Sequence, residues 1–231
     1  MNSAKAGKTA NLFYYNPVTK QLEFQYAGII DENGYVRFPF RHASEYAIAL
    51  DDGIILRAEL DKAALSADKE LLYIGGNTGK ATELRLDLPE GLKNLSVEDA
   101  LYPAVTYTSS NPKVAKVSAD GKVTALKKGK TTITAVIKAG DATQTLRTTI
   151  TVKDAYIKLT KTTGSLKKGK SFTYKAVGYG VSNDKITFVT TKKSIVVINK
   201  KSGKAIAKSA GTDYVIARYG KIQVKQVVTV K

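Results

Sequence analysis

The chain has 231 residues, of which 43% are hydrophobic, and carries 37 Lys and Arg against 20 Asp and Glu for a formal net charge of +17. That apolar fraction supports packed cores and excludes global disorder, while no apolar run approaches the ~20 residues that a membrane-crossing helix needs. The absence of Cys removes disulfides, thiolate catalysis and Cys-ligated zinc.

The length allows one to three domains. The first ten residues, MNSAKAGKTA, hold no apolar leader segment. From residue 12 to 50 come LFYY, LEFQYAG, YVRFPF and EYAIAL, separated by NPVTK, DENG and RHAS. These are aromatic and β-branched runs punctuated by turn formers, and they predict short strands. Residues 56–72, LRAELDKAALSADKELL, are rich in good helix formers. They read either as a helical turn or as a strand, a short loop and a second strand. Strands follow at LLYIGG, ATELRLDL, AVTYTS, KVAKVS, KVTAL, TTITAVI and LRTTITV. Strands this short, at this spacing, predict β-sandwiches.

The chain repeats itself. VTYTSSNPKVAKVSADGKVTALKKGKTTITA (105–135) aligns with ITFVTTKKSIVVINKKSGKAIAKSAGTDYVIA (186–217) with one inserted residue. Tyr107 matches Phe188, Ala115 and Val117 match Val196 and Ile198, and Ile133 and Ala135 match Val215 and Ala217. Gly121 and Gly129 match Gly203 and Gly211, and the endings TTITVK and QVVTVK correspond. Apolar positions keep one parity through both copies, as residues on one buried face of a strand must. Two separate cores are therefore expected, with the Tyr107 and Phe188 rings between the sheets. Linkers near 51–55 and 153–155 are short, which predicts an elongated rod.

The run from YTSSNPKVAKVSADGKVTALKKGKTTITA to TITV resembles the bacterial immunoglobulin-like domain, group 2, through its aromatic residue, SSN, VA-x-V, G-K-V-x-A and the Gly before a T-x-I-x-A strand. The resemblance spans residues 54–153. Residues 154–231 look like a diverged relative in which Thr190, Thr191 and Lys192 replace SSN. Residues 1–53 resemble, near HASEYAI, a short module that precedes such domains in large secreted proteins of Gram-positive bacteria. About 50 residues make a poor independent core, so this segment is expected to pack on the next domain or to be the tail of a larger one. The resemblance implies an all-β chain of tandem immunoglobulin-like β-sandwiches behind a short β module. It also implies an extracellular location on a bacterial cell surface and a stalk or adhesive role, without catalysis.

The chemical candidates are few. His42 is the only imidazole; with Ser44 it reads as a turn brace before EYAIAL rather than a catalytic pair. In GGNTGKAT (75–82), Ile74 stands where a phosphate loop requires Gly, and GKT at 7–9 and 129–131 fail through Asn2 and Thr124. DENG at 31–34 and SADG at 118–121 read as turns, and Asp51 and Asp52 are the best placed for a calcium ion shared at a junction. No cofactor is implied.

The charge is concentrated. Residues 1–53 have five basic and six acidic residues, 54–153 have 15 and 11, and 154–231 have 17 and three, a net of +14. Such an excess attracts polyanions. Lys192, Lys193, Lys200, Lys201, Lys204 and Lys208 fall on or near one ribbon, and Lys167, Lys168 and Lys170 precede SFTYKAV. They form either a solvated face or a contact surface for anionic cell-wall polymer, acidic glycan or membrane headgroups. A host or matrix surface is a further partner compatible with an adhesive role. Nucleic acid is not expected, because that would need aromatics interleaved with the charges. A monomer is expected. A second reading is a carbohydrate-binding or accessory module of a secreted glycan-degrading enzyme, with Tyr14, Tyr15, Tyr26 and Tyr179 stacking on sugars.

Overall fold

The computed structural model describes residues 5–40, 45–93 and 95–231; His42 and Ser44 lie outside them. The strands β1 (Thr9–Asn16), β2 (Gln21–Ile29) and β3 (Tyr46–Asp51) form an antiparallel sheet in the order β2-β1-β3. Helix α1 (Ile54–Leu60), β4 (Ala64–Ala67), β5 (Leu71–Ile74), β6 (Ala81–Asp87) and helix α2 (Glu90–Lys93) lead into β7 (Ala104–Ser109) and β8 (Ala115–Val117). With β9 (Lys122–Ala125), β10 (Gly129–Ala139) and β11 (Ala142–Asp154), these strands make two sheets, β5-β11-β10-β7 and β4-β6-β9-β8. The rest of the chain holds β12 (Tyr156–Lys161), β13 (Ser165–Leu166), β14 (Ser171–Thr173), β15 (Lys175–Tyr179), β16 (Thr187–Thr190), β17 (Val196–Ile198), β18 (Lys204–Ala207), β19 (Gly211–Tyr219) and β20 (Ile222–Val230). They pair as β12-β15, β13-β20-β19-β16 and β14-β18-β17. The chain is all-β, built on immunoglobulin-like sandwiches.

Strand parity accounts for the cores. In β10, Thr131, Ile133, Ala135, Ile137 and Ala139 point inward, and in β19, Asp213, Val215 and Ala217 do. Leu72, Val114, Ala115, Val123, Ala125, Ile133, Ile150 and Val152 form the first sandwich's own core. Tyr174, Phe188, Val196, Ala205, Val215, Ala217 and Val228 lead the second. Each fully buried aliphatic side chain contributes roughly 1.5–3 kcal/mol. The matched residues differ at the edges. Val117 and Ile198 are half-buried. Phe188 lies in its core, but Tyr107 is half-buried and packs over Gly121. The largest enclosed side chain of the second sandwich is Tyr174, whose hydroxyl donates to the Thr163 carbonyl at 3.0 Å. Burial pushes that hydroxyl's pKa up to about 12.

A third core joins the N-terminal sheet to the far end of the β10–β11 hairpin. Leu12, Phe24, Tyr26 and Ala27 meet Leu56 and Leu60 of α1, Leu92 of α2, and Ile137, Ala139 and Ala142. The Tyr26 hydroxyl donates to the Asp99 carboxylate, tying the sheet to the loop before β7. Residues 56–72 split between the two readings, with a helix through Leu60 and strands after it. Leu56 and Leu60, one turn apart, present a single apolar face, and both Asp51 carboxylate oxygens accept N–H groups at the helix start, from Gly53 and Ile55 at 2.8 Å. Those oxygens cap a helix, and Asp52 pairs with Lys8 at 3.5 Å; neither arrangement resembles a calcium loop. The DENG turn is closed by Asp31 Oδ1, which accepts from Asn33 and Tyr35. YVRFPF (35–40) forms no strand. Pro39 cannot donate to a ladder, and Phe38 instead packs edge-on against Tyr26 at 5.9 Å.

The two sandwiches meet through backbone. The GGNTG loop docks on the Gly178–Gly180 turn, where Asn77 and Thr78 N–H groups donate to the Gly180 carbonyl at 3.0 and 3.2 Å. Asn77 Oδ1 accepts from the Ser182 N–H at 3.0 Å. Tyr156 and Tyr179 stack at 4.5 Å, with Tyr73 tilted against both. A Cβ on Gly76 would lie 1.8 Å from the Gly180 carbonyl oxygen, which is why this position has none. Divided among three cores, the chain leaves 13777 Å² of accessible surface, where a compact monomer of this mass exposes about 10,000 Å². The Gly76→Ala variant should keep both sandwich cores folded while amide exchange at Asn77, Thr78 and Ser182 accelerates; unchanged exchange there would mean the joint does not depend on that approach.

Candidate functional site

The nine candidate lysines surround the three-stranded sheet β14-β18-β17. All nine are exposed, and none forms an ion pair among the described residues. Backbone bonds bring the two sequence clusters together. In the turn that carries Lys167, Lys168 and Lys170, the Gly169 N–H donates to Ala207 and the Ala207 N–H to Lys170. The Lys208 N–H then donates to Ile195, and the Ser209 hydroxyl to Ser194. Lys208 thus bridges the 167–170 turn and the turn that carries Lys192 and Lys193. Lys200, Lys201 and Lys204 sit at the opposite end of the β17–β18 hairpin, three or four residues away, or roughly 10–13 Å at the strand rise.

Both lysine-bearing turns beside β17 are held from below. Asp213, 0% exposed, offers Oδ1 to the N–H groups of Thr191 at 3.0 Å, Lys192 at 2.9 Å and Tyr214 at 2.6 Å, and to the Thr191 hydroxyl at 2.5 Å. The matching residue of the first sandwich is Thr131, whose hydroxyl accepts the Asn111 N–H and contacts Ser109 and Ser110. A carboxylate stands here where the first sandwich has a hydroxyl, under a turn that has Lys192 and Lys193 where the other has Asn111 and Pro112. Charged acceptors make the stronger hydrogen bonds. The other turn is an Asx turn. Asn199 Oδ1 accepts from Lys201 and Ser202 at 3.0 and 2.9 Å, and the Phe188 N–H donates to the Lys200 carbonyl at 2.9 Å. Gly203 closes it with φ 70°, and a Cβ there would meet the Tyr174 carbonyl oxygen at 2.4 Å.

The repeat alignment marked the position of Asp213 but not its role. Nothing in its sequence context separates a buried acceptor from one more surface charge, except the inward parity it shares with Val215. The carbohydrate candidates disperse. Tyr26 is buried, and Tyr179 is stacked in the joint. Tyr14 and Tyr15 are half-buried and line a shallow hollow of about 280 Å³ with Pro17 and Glu45. These four rings give no set of three coplanar faces. No group of three or more His, Cys, Asp or Glu side chains among the described residues could hold a metal.

Removing the Asp213 carboxylate leaves three N–H groups without their acceptor. Asp213→Ala should cost the second sandwich about 2–4 kcal/mol in urea unfolding, and Asp213→Thr should recover part of that. A cost below about 0.5 kcal/mol, the size of an ordinary surface change, would mean the turn is held otherwise.

Residues 95–147 match the family of the bacterial Ig-like domain (group 2). No curated protein matches the chain. Among solved structures, the S-layer protein rSbsC is 22% identical with a TM-score of 0.42, covering 76% of this chain and 28% of its own length. Domains 4 and 5 of the S-layer protein SbsC are 21% identical with a TM-score of 0.42, covering 74% and 98%. The C-terminal 282-residue fragment of intimin, in complex with the intimin-binding domain of the translocated intimin receptor, is 18% identical with a TM-score of 0.30, covering 72% and 63%. This chain therefore spans little more than a quarter of rSbsC.

Proposed function

We propose that this chain is a non-catalytic module of a bacterial cell surface, in which residues 154–231 contact an anionic envelope polymer or acidic glycan. In this reading residues 1–53 are a short β module docked on the sandwich of 54–153, and 154–231 form a second, diverged sandwich of the same family. The observation that carries it is the commitment of every carboxylate in 154–231. Asp154 pairs with Lys128 at 3.2 Å, Asp184 with Lys185 at 3.5 Å, and Asp213 is buried beneath its turn. The nine lysines around β14-β18-β17 are left with solvent and counterions. A net charge of magnitude ~2–8 suffices for solubility of a small domain, so +14 suits a polyanionic neighbour. Binding would gain from counterion release and from repetition along the polymer, so that single contacts need not be strong. The family match at 95–147 supports a display or adhesive role.

The test is the full chain against heparin or an acidic wall polymer over a range of salt. Lys192, Lys193, Lys200 and Lys201 changed together to Gln should weaken binding at least tenfold near 0.1 M salt. The change should reduce the slope of log affinity against log salt by up to about three to four, at ~0.7–0.9 per lost phosphate-type contact, with an unaltered melting temperature. The same four-charge reduction on the first sandwich, at Lys113, Lys116, Lys127 and Lys130, should do much less. Equal losses from the two sets would leave net charge alone responsible, and an unchanged affinity in the first variant would refute the lysine face.

A further inference from the structure

We propose that the groove between β16 and β17 is a subsite for one pyranose ring of a uronic-acid polysaccharide; this rests on the polyanion reading and names the chemistry that the same face selects. The groove has a volume of about 290 Å³, near the lower limit of small-molecule sites and suited to a single ring. Its floor is apolar, from Phe188, Val189, Val197 and Ile198, and Lys193 and Lys200 flank it. Val197 is 40% exposed, and its cross-strand partner Ile206 is 37% exposed. Lys204, at the start of β18, and Lys208, just past its end, lie two residues to either side of Ile206 and are exposed like it. The face is therefore an apolar centre rimmed by ammonium groups.

Two features of that arrangement select the occupant. A pyranose presents a flat set of C–H groups that an apolar floor can cover, whereas a polyol-phosphate chain has no ring face to offer it. A carboxylate on each ring supplies the anion that the flanking lysines meet through charge-assisted bonds. The backbone that carries the lysines is held in advance, because the two turns are anchored by Asp213, by Asn199 and by the Phe188 N–H; less backbone ordering is then lost on binding. The first sandwich provides an internal comparison. Pro112, Lys116 and Ala119 stand where Lys193, Val197 and Lys200 stand. There the floor residue is a charged chain and both flanking cations are missing.

The decisive variant adds charge while filling the groove. Val197→Lys in the full chain is to be titrated with an oligogalacturonate and with polyphosphate of matched charge. The groove account expects oligogalacturonate affinity to fall about tenfold, the order of losing one buried apolar side-chain contact, while polyphosphate affinity holds or rises. Val197→Thr, the same shape at unchanged charge, should lower oligogalacturonate affinity severalfold and leave polyphosphate alone, and it covers the event that the Lys variant unfolds. If both polymers bind Val197→Lys more tightly, or both variants leave the preference unchanged, the groove is not a subsite although the lysine face stands. If wild-type protein binds neither polymer at low salt, the subsite and the polyanion reading both fall.

Discussion

Like-charge repulsion in residues 154–231 is the constraint around which the rest of the molecule is arranged. Seventeen basic side chains share that segment with three carboxylates, and each carboxylate already has a task. Asp213 is the instructive one. It gives up all exposure to hold the Thr191–Lys192 turn by its N–H groups. Exposed charges a few Å apart repel by roughly 1 kcal/mol each in water and are screened within ~8 Å at physiological salt. Such a surface is tolerable in solution, and a polyanion relieves it further.

Rigidity of the backbone makes that surface usable. The sheet β14-β18-β17 is short, so its lysines ride on turns, and turns move unless tied. Here the 167–170 turn is bonded to Ala207, Lys208 to Ile195, and Lys200 to Phe188. The second sandwich is in turn held to the first through Gly180, Asn77 and three packed tyrosines. The N-terminal sheet packs Leu12, Phe24 and Tyr26 against the turn end of the β10–β11 hairpin, at Ile137, Ala139 and Ala142. On the proposed reading, a charged face carried on such an array would keep its spacing along a polymer, which is what multivalent binding requires.

Parity and turn chemistry made the architecture legible from residues alone. Ala115, Ile133, Ala135, Val196, Val215 and Ala217 are all enclosed, because a strand side chain has only two directions and one of them is dry. Local competition was harder to read. LRAEL formed a helix because Leu56 and Leu60 share a face buried in the third core, where the helix packs on β11, a strand more than 80 residues further along the chain. YVRFPF has strand-like residues, yet Pro39 and the packing of Phe38 on Tyr26 keep it out of the ladder. Tyr107 looked like a core plug and is half-buried, while Tyr174, in the break between β14 and β15, fills the second core. The lysine clusters were visible as composition. Their union around one sheet depends on backbone bonds between turns some 40 residues apart, Lys170 to Ala207 among them, and no local signal encodes those. GGNTG was recognisable as turn glycines, but its partner GYG, a hundred residues on, was not.

The most direct test of the account is a nuclear magnetic resonance titration of the ¹⁵N-labelled full chain with an acidic oligosaccharide, following every amide. The account predicts that shifts concentrate at Thr190–Lys193, Val197–Lys201 and Lys204–Lys208, with smaller ones at Lys167–Lys170, and that salt reverses them. Shifts centred on Tyr14, Tyr15 and Glu45, or spread evenly over the lysines of both sandwiches, would contradict it.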